Sequence, residues 1–455
     1  MTPVQRALFR RLRSEVADEL ANRTHAAQSA GRRLSADDQR MLGRQLVNRW
    51  LESLAREQLQ RGEAPLDEGD EAELVQAVDD ALFGLGALQR LLADDSIENI
   101  DSNGCDQVWI TRSDGSKERG PAIAESDDEL VDMLRTAAAR AGLTERRFDI
   151  GSPSLNLQLA DGSRLFAVMA VTSRPSVAIR RHRFPKVFLG DLVGLGSIDR
   201  TMREFLAAAV RARKNIIVAG GVDTGKTTLL RALLNEVPPH ERIVTVEDNL
   251  ELGLDRYGDL HPDVVALEAR ERNIEGEGAV TLADLVRWGL RMNPDRVIVG
   301  EVRGDEILPM LNAMSQGNDG SMCTVHANSS QGVFGKLAMY AVQAPERLPL
   351  EATNLIVAQS VDFVVHLNAS SPGGESDGRS GRRSAVRAGH LRRFVGSVRE
   401  VIGADGTMVI SNEVFAPGAD GRAAVNVPPR TETIDALAAA GFDPDLLHLG
   451  QGRWR

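Results

Sequence analysis

The chain has 455 residues, 42% hydrophobic and 26% charged, with a net charge of −11 and two cysteines, Cys105 and Cys323. That length exceeds one compact core and predicts two or three domains, and the acidic balance argues against generic binding to nucleic acid or anionic lipid. Two isolated cysteines, with no C-x-x-C and no Cys/His cluster, imply neither a disulfide framework nor a zinc site and read as small buried hydrophobes.

The N-terminal stretch lacks the apolar core of a signal peptide, and no apolar run is long enough to span a bilayer. The expected location is the cytoplasm, with any membrane reached only through partners. Residues 1–85 read as a helical head. Ser35 and Asp38 have the spacing of a capping box, and Leu42, Leu46, Val47, Trp50, Leu51 and Leu54 mark one helical face behind it. After a polar break, Leu74, Val75, Val78 and Leu82 form another stripe.

From residue 86 to 185 the pattern becomes mixed α/β. "SIENIDSNGCDQVWI" reads as strand, Asn-Gly turn, strand; helical spacing follows over 126–142; "SLNLQLADGSRLFAVMA" reads as a hairpin around Asp161-Gly162. Residues 186–199 read as a linker. From 200 to 368 helices alternate with short apolar strands, the pattern of a parallel sheet with helices on both faces. Residues 369–384 are Gly/Ser-rich and read as a flexible segment. The C-terminal extension, 385–455, opens with two strands on a turn.

The chemistry concentrates after residue 215. "GGVDTGKTTLL", from Gly220 to Leu230, fits the phosphate-loop pattern G-x-x-x-x-G-K-[ST]. An apolar strand, Ile216 to Ala219, runs in and a helix runs out. Backbone N–H groups and the helix N-terminus would hold the phosphates of ATP. The loop comprises Gly220, Gly221, Val222, Asp223, Thr224, Gly225, Lys226, Thr227 and Thr228. Lys226 would reach the β- and γ-phosphates, and the Thr227 hydroxyl would bind Mg²⁺. Three strand ends follow. Glu247 and Asp248 close "IVTVED", Glu301 closes "RVIVGE" in a Walker B arrangement that can hold Mg²⁺ or orient water, and His326 closes "SMCTVH".

Together, "GGVDTGKTT", "VTVEDNLEL", "RNIEGEG", "LRMNPDRVIVGEVRG" and "GSMCTVHANS" resemble the secretion ATPase superfamily, the hexameric motors of type II and type IV secretion and of pilus assembly. Within it, "FGLGALQRLLADDSIENIDSNG" and "LNLQLADGSRLFAVMA", followed by "VAIRRHRF", are similar to the CpaF/TadA-type ATPases of Flp (Tad) pilus systems. The likeness spans roughly residues 80–370. It implies a RecA-like P-loop NTPase domain, preceded by a mixed α/β N-terminal domain and the helical head. It implies a hexameric ring acting on an inner-membrane platform protein, with ATP and Mg²⁺ as cofactors; the acidic charge, not the likeness, argues against nucleic acid as a partner, and pilus assembly, protein export and DNA conjugation stay open as the work of such a motor. By resemblance Glu301 is the leading catalytic carboxylate, Glu247 the second acid, and His326 part of the nucleotide pocket. Arg164, Arg180 and Arg181 match arginines of the N-terminal domain that approach the phosphates, and Arg303 is a candidate bridge between subunits.

Two departures stand out. This branch has Thr-Gly where the chain has Val222-Asp223, and Arg where it has Asn293. A glycine at 223 signals positive φ, a region Asp tolerates, so the carboxylate is compatible with the loop if it points to solvent. Two rivals remain open: a nucleotide-binding assembly factor that turns over weakly or not at all, and a RecA-like nucleic-acid motor, which the acidic charge and 4% aromatic content oppose.

Overall fold

The computed structural model describes residues 3–32, 34–112, 116–141, 147–159, 161–181, 186–270, 278–370 and 392–448. It divides into two compact units, Met1–Arg181 and His182–Arg455. Most of "RNIEGEG" and, from residue 371, the Gly/Ser-rich segment lie outside the described residues.

In the first unit, helices Pro3–Ser29, Ala36–Gln60 and Glu68–Phe83 enclose Leu12, Val16, Leu46, Val47, Leu51 and Val78. The capping box is present: Ser35 Oγ accepts from the Asp38 N–H, and Asp38 accepts from the Ser35 N–H at 3.0 Å. Asp79 is buried, and Arg40 (2.6 Å) and Arg44 (3.1 Å) neutralise it. Six antiparallel strands follow: β1 (Ile97–Asn103), β2 (Val108–Arg112), β3 (Lys117–Arg119), β4 (Ser154–Gln158), β5 (Arg164–Val168) and β6 (Ser176–Arg180). They pair in the order β3-β2-β1-β6-β5-β4. The hairpin read around Asp161-Gly162 is β4–β5, with Gly162 at φ +89° and the Asp161 carboxylate accepting from the Ser163 N–H.

The second unit is built on a nine-stranded sheet. Its strands are β7 (Ile216–Gly220), β8 (Ile243–Glu247), β9 (Val264–Glu268), β10 (Arg296–Val302), β11 (Met322–His326), β12 (Phe363–Ser370), β13 (Arg392–Asp405), β14 (Met408–Pro417) and β15 (Ala423–Val425). The order is β15-β14-β13-β12-β7-β11-β10-β8-β9. The run from β12 to β9 is parallel, and β13, β14 and β15 continue it antiparallel. Every residue of β7 and β8 is buried, including Thr245 and Glu247, as strands covered on both faces are. One face packs on helices Arg200–Arg211 and Lys226–Leu234, the other on Leu282–Gly289, Ile307–Ser315, Gly332–Gln343 and Leu350–Ser360.

Two stretches read as peripheral enter this core. In 186–199, expected as a linker, Leu189–Gly194 is helical, and Val187, Leu189, Leu192 and Ile198 are buried. Their apolar side chains join the core that helices Arg200–Arg211 and Lys226–Leu234 form on the sheet and would be costly to leave in water. From the C-terminal extension, Phe415 and Phe442 set their rings edge-on against Phe205, at 5.1 and 5.6 Å between centroids. Both cysteines are buried and free, and full burial pushes the Cys323 thiol up to about 12. No helix among the described residues is long and apolar enough to cross a membrane.

Candidate functional site

The parallel strands deliver four loops to the C-terminal edge of the sheet, where open α/β sheets place their ligands. At that edge Gly220 sits in register between His326 of β11 and Leu367 of β12. A Cβ on Gly220 would stand 2.9 Å from the Leu367 carbonyl oxygen and 2.5 Å from Thr224 Oγ1. Only glycine lets the chain leave the sheet there. Thr224 is buried and donates to the Gly221 carbonyl at 3.0 Å, closing the loop on itself. Gly225, at φ +92°, caps helix Lys226–Leu234 with no side chain, which leaves the first-turn amides to a ligand.

Asp223 lies at φ +59°, in the left-handed region, and is exposed. Asn293, the second departure, lies at φ +55° after the turn Leu290–Met292. Asp and Asn are the non-glycine residues best suited to that conformation. Both residues therefore suit the left-handed backbone on which they sit. The sequence did not announce a third contact on this loop: Arg393 of β13 donates through Nε to the Asp223 carbonyl at 2.8 Å.

Three predicted side chains converge. Lys226 is buried, and its Nζ donates to the Gly221 carbonyl at 2.9 Å and meets His326 Nδ1 at 3.1 Å. An ammonium only donates, so Nδ1 is the acceptor and the ring is the neutral Nε2–H tautomer. His326 Nε2 then faces Glu301 Oε1 at 2.6 Å. The other Glu301 oxygen pairs with Arg303 Nε at 3.0 Å, and Arg303 reaches Asp248 at 2.9 Å. A continuous polar chain thus joins the loop lysine to the Walker B carboxylate. Burial pushes the Glu301 carboxyl up, but the His326 contact and the charges of Arg303 and Lys226 more than offset it and hold it below its ordinary value. Burial lowers the Lys226 ammonium, against the pull of Glu301, Asp223 and Glu251. A buried cation held by a carbonyl and a neutral imidazole suits a polyanion, so these residues fit a nucleotide.

Glu247 points elsewhere. It ends β8 beside Gly300, where a Cβ would stand 3.1 Å from Glu247 Cγ. One carboxylate oxygen accepts from the N–H groups of Glu251 (2.7 Å) and Leu252 (2.8 Å), the other from the Thr245 hydroxyl (3.2 Å). Burial pushes its carboxyl up to about 7. Thr227 and Thr228 begin the helix after Lys226 and are half-buried. Arg164, Arg180 and Arg181 belong to the other unit. There Arg164 and Arg180 face each other across β5 and β6, and Arg181 donates to the Asp94 carbonyl and pairs with Asp95 at 3.1 Å.

Comparison with known proteins gives these residues a context. A family profile described as "Type II/IV secretion system protein" matches residues 82–370. The chain is 31% identical over 330 residues to the type IV secretion system protein VirB11 of Brucella suis, an alignment covering 66% of this chain and 88% of that protein. It is 36% identical over 328 residues to a Mycobacterium tuberculosis protein named for conjugal transfer, covering 70% of this chain and 88% of the other. Among solved structures it is similar to the ATPase DotB of Legionella pneumophila, with a TM-score of 0.51 at 15% identity over 72% of this chain and 82% of that one. That likeness concerns the fold.

Proposed function

The chain belongs to the Type II/IV secretion system protein family, and from that premise we propose that it is a cytoplasmic, Mg²⁺-dependent ATPase whose hexameric ring drives pilus assembly or protein secretion through an inner-membrane platform protein, in the manner of the Flp (Tad) pilus ATPases. The observation that carries this reading is the Lys226–His326–Glu301 chain behind the Gly220–Thr228 loop. Lys226 and the loop amides bind the β- and γ-phosphates. Glu301, ionised and held by His326, orients the attacking water and takes its proton. Thr227 and Glu301 would hold Mg²⁺, which supplies charge neutralisation to the transferring phosphoryl group. Glu247, expected as a second acid near the metal and water, instead holds the loop that carries Glu251 and Leu252. By resemblance to the family, Arg164, Arg180 and Arg181 are the candidate phosphate-contacting arginines of the N-terminal domain.

The test is phosphate release together with assembly state. With Mg²⁺ and ATP the full chain should release phosphate, and with a non-hydrolysable analogue it should sediment as a hexamer. A strict monomer with full activity contradicts the ring.

The Val222-Asp223 pair keeps one other reading in play, a nucleotide-binding assembly factor without turnover. Asp223→Gly separates the two. The backbone is already left-handed, so glycine fits without rearrangement. Removing one negative charge about 6 Å from the phosphates, at an effective dielectric of roughly 40–80, relieves about 1 kcal/mol of repulsion. ATP affinity, measured by titration, should rise a few-fold with turnover of the same order. Stability should stay level or fall slightly, since glycine relieves left-handed strain but frees the unfolded chain. A jump from no turnover to robust turnover would instead make the native protein a nucleotide switch.

A further inference from the structure

The contact between Arg393 and the phosphate loop joins residues 170 positions apart. It comes from β13, beyond the region that the family profile matches. Arg393 is exposed, but its backbone is anchored in the sheet. Its backbone pairs with Ala369 of β12, and the next two residues, Phe394 and Val395, are buried. Its Cδ is also the closest neighbour, at 3.6 Å, of the position a Cβ would take on Gly225. The guanidinium stem therefore lies along the outer side of the loop, from Asp223 to Gly225, across its two left-handed positions.

The consequence follows from peptide geometry. The Asp223 carbonyl and the Thr224 N–H belong to one planar trans peptide, in which C=O and N–H point in opposite directions. A donor that fixes the carbonyl outward fixes that N–H inward, where a phosphate loop needs its amides. The same strand supports the neighbouring loop. Arg399 Nε donates to Ser330 Oγ at 2.9 Å, and Ser330 and Ser397 hydroxyls meet at 2.8 Å, four residues past His326.

Resting on the ATPase reading, we infer that Arg393 is a positioning residue of the nucleotide site, supplied by the C-terminal strand: it orients the Asp223–Thr224 peptide and places a positive charge behind the loop.

The test is equilibrium binding of a fluorescent ATP analogue with Mg²⁺ to the full chain, set beside steady-state kinetics. Arg393→Ala should weaken binding about five- to tenfold, the loss of one charge-assisted hydrogen bond. KM should rise in step while kcat changes less than about twofold, because the group touches no reacting atom. Arg393→Lys keeps a donor and the charge, and should recover affinity to within about threefold of the parent. The melting temperature should not move, since the side chain is exposed. Parent-like affinity in Arg393→Ala, with binding lost in Lys226→Ala, overturns the inference and leaves the ATPase reading standing. A parent chain that binds no nucleotide overturns both.

Discussion

Glu301→Gln should bind ATP as tightly as the parent and lose turnover by about 10²- to 10⁴-fold, the range for removal of a positioned general base. The substitution keeps the shape of the side chain and an oxygen facing His326 Nε2, 2.6 Å away. What it removes is the charge, which His326, Arg303 and Lys226 maintain against burial. An amide neither holds water as strongly nor takes its proton. Lys226→Ala should behave in the opposite way. It deletes the buried ammonium that sits on the Gly221 carbonyl and His326 Nδ1, so binding itself should fail, by at least about tenfold. Titration with a labelled nucleotide reads the first property and single-turnover phosphate release the second. Parent-like hydrolysis by Glu301→Gln would move the catalytic carboxylate to another strand end.

The difference between these variants was legible in the sequence because both residues belong to local patterns: a glycine loop between an apolar strand and a helix, and an acid closing an apolar strand. The parallel strands β7, β8, β10, β11 and β12 were legible for the same reason, since burial on both faces demands nearly unbroken apolar runs. The strand order was not. Nothing local tells Arg392–Asp405 to pair with β12, because that choice depends on which edge of the sheet is left open once β12 has paired with β7. Arg393 was invisible on this ground: its partner is a backbone carbonyl, which has no sequence signature. The direction of Glu247 was hidden differently. Strand periodicity says which residue ends β8, but Gly300 on the neighbouring strand and the amides of Glu251 and Leu252 decide where its carboxylate goes. Asp223 is the converse case, where a known glycine preference gave the backbone angle before the structure did.

Glu247 carries the second large effect, on stability. Its carboxyl is raised from 4.5 to about 7 by burial. Between those values the folded chain keeps a proton that the unfolded chain releases, so its contribution is most favourable below pH 4.5, declines as pH rises, and levels off above about pH 7. A shift of that size corresponds to about 3 kcal/mol of destabilisation at pH 8. Glu247→Gln removes it without breaking a contact. The amide oxygen accepts from Glu251 and Leu252 as the carboxylate does, and the amide nitrogen donates to Thr245 Oγ1, which accepts equally well. Denaturant unfolding should show the variant matching the parent near pH 4 and exceeding it by up to about 3 kcal/mol at pH 8. A parent-like stability profile across that range would mean that Glu247 is ionised at no cost. Turnover adds the functional half. With both oxygens committed to the chain, Glu247→Gln should slow hydrolysis less than Glu301→Gln does. An equal loss would show that the carboxylate leaves the Glu251–Leu252 amides during the cycle and works on the water or the metal directly.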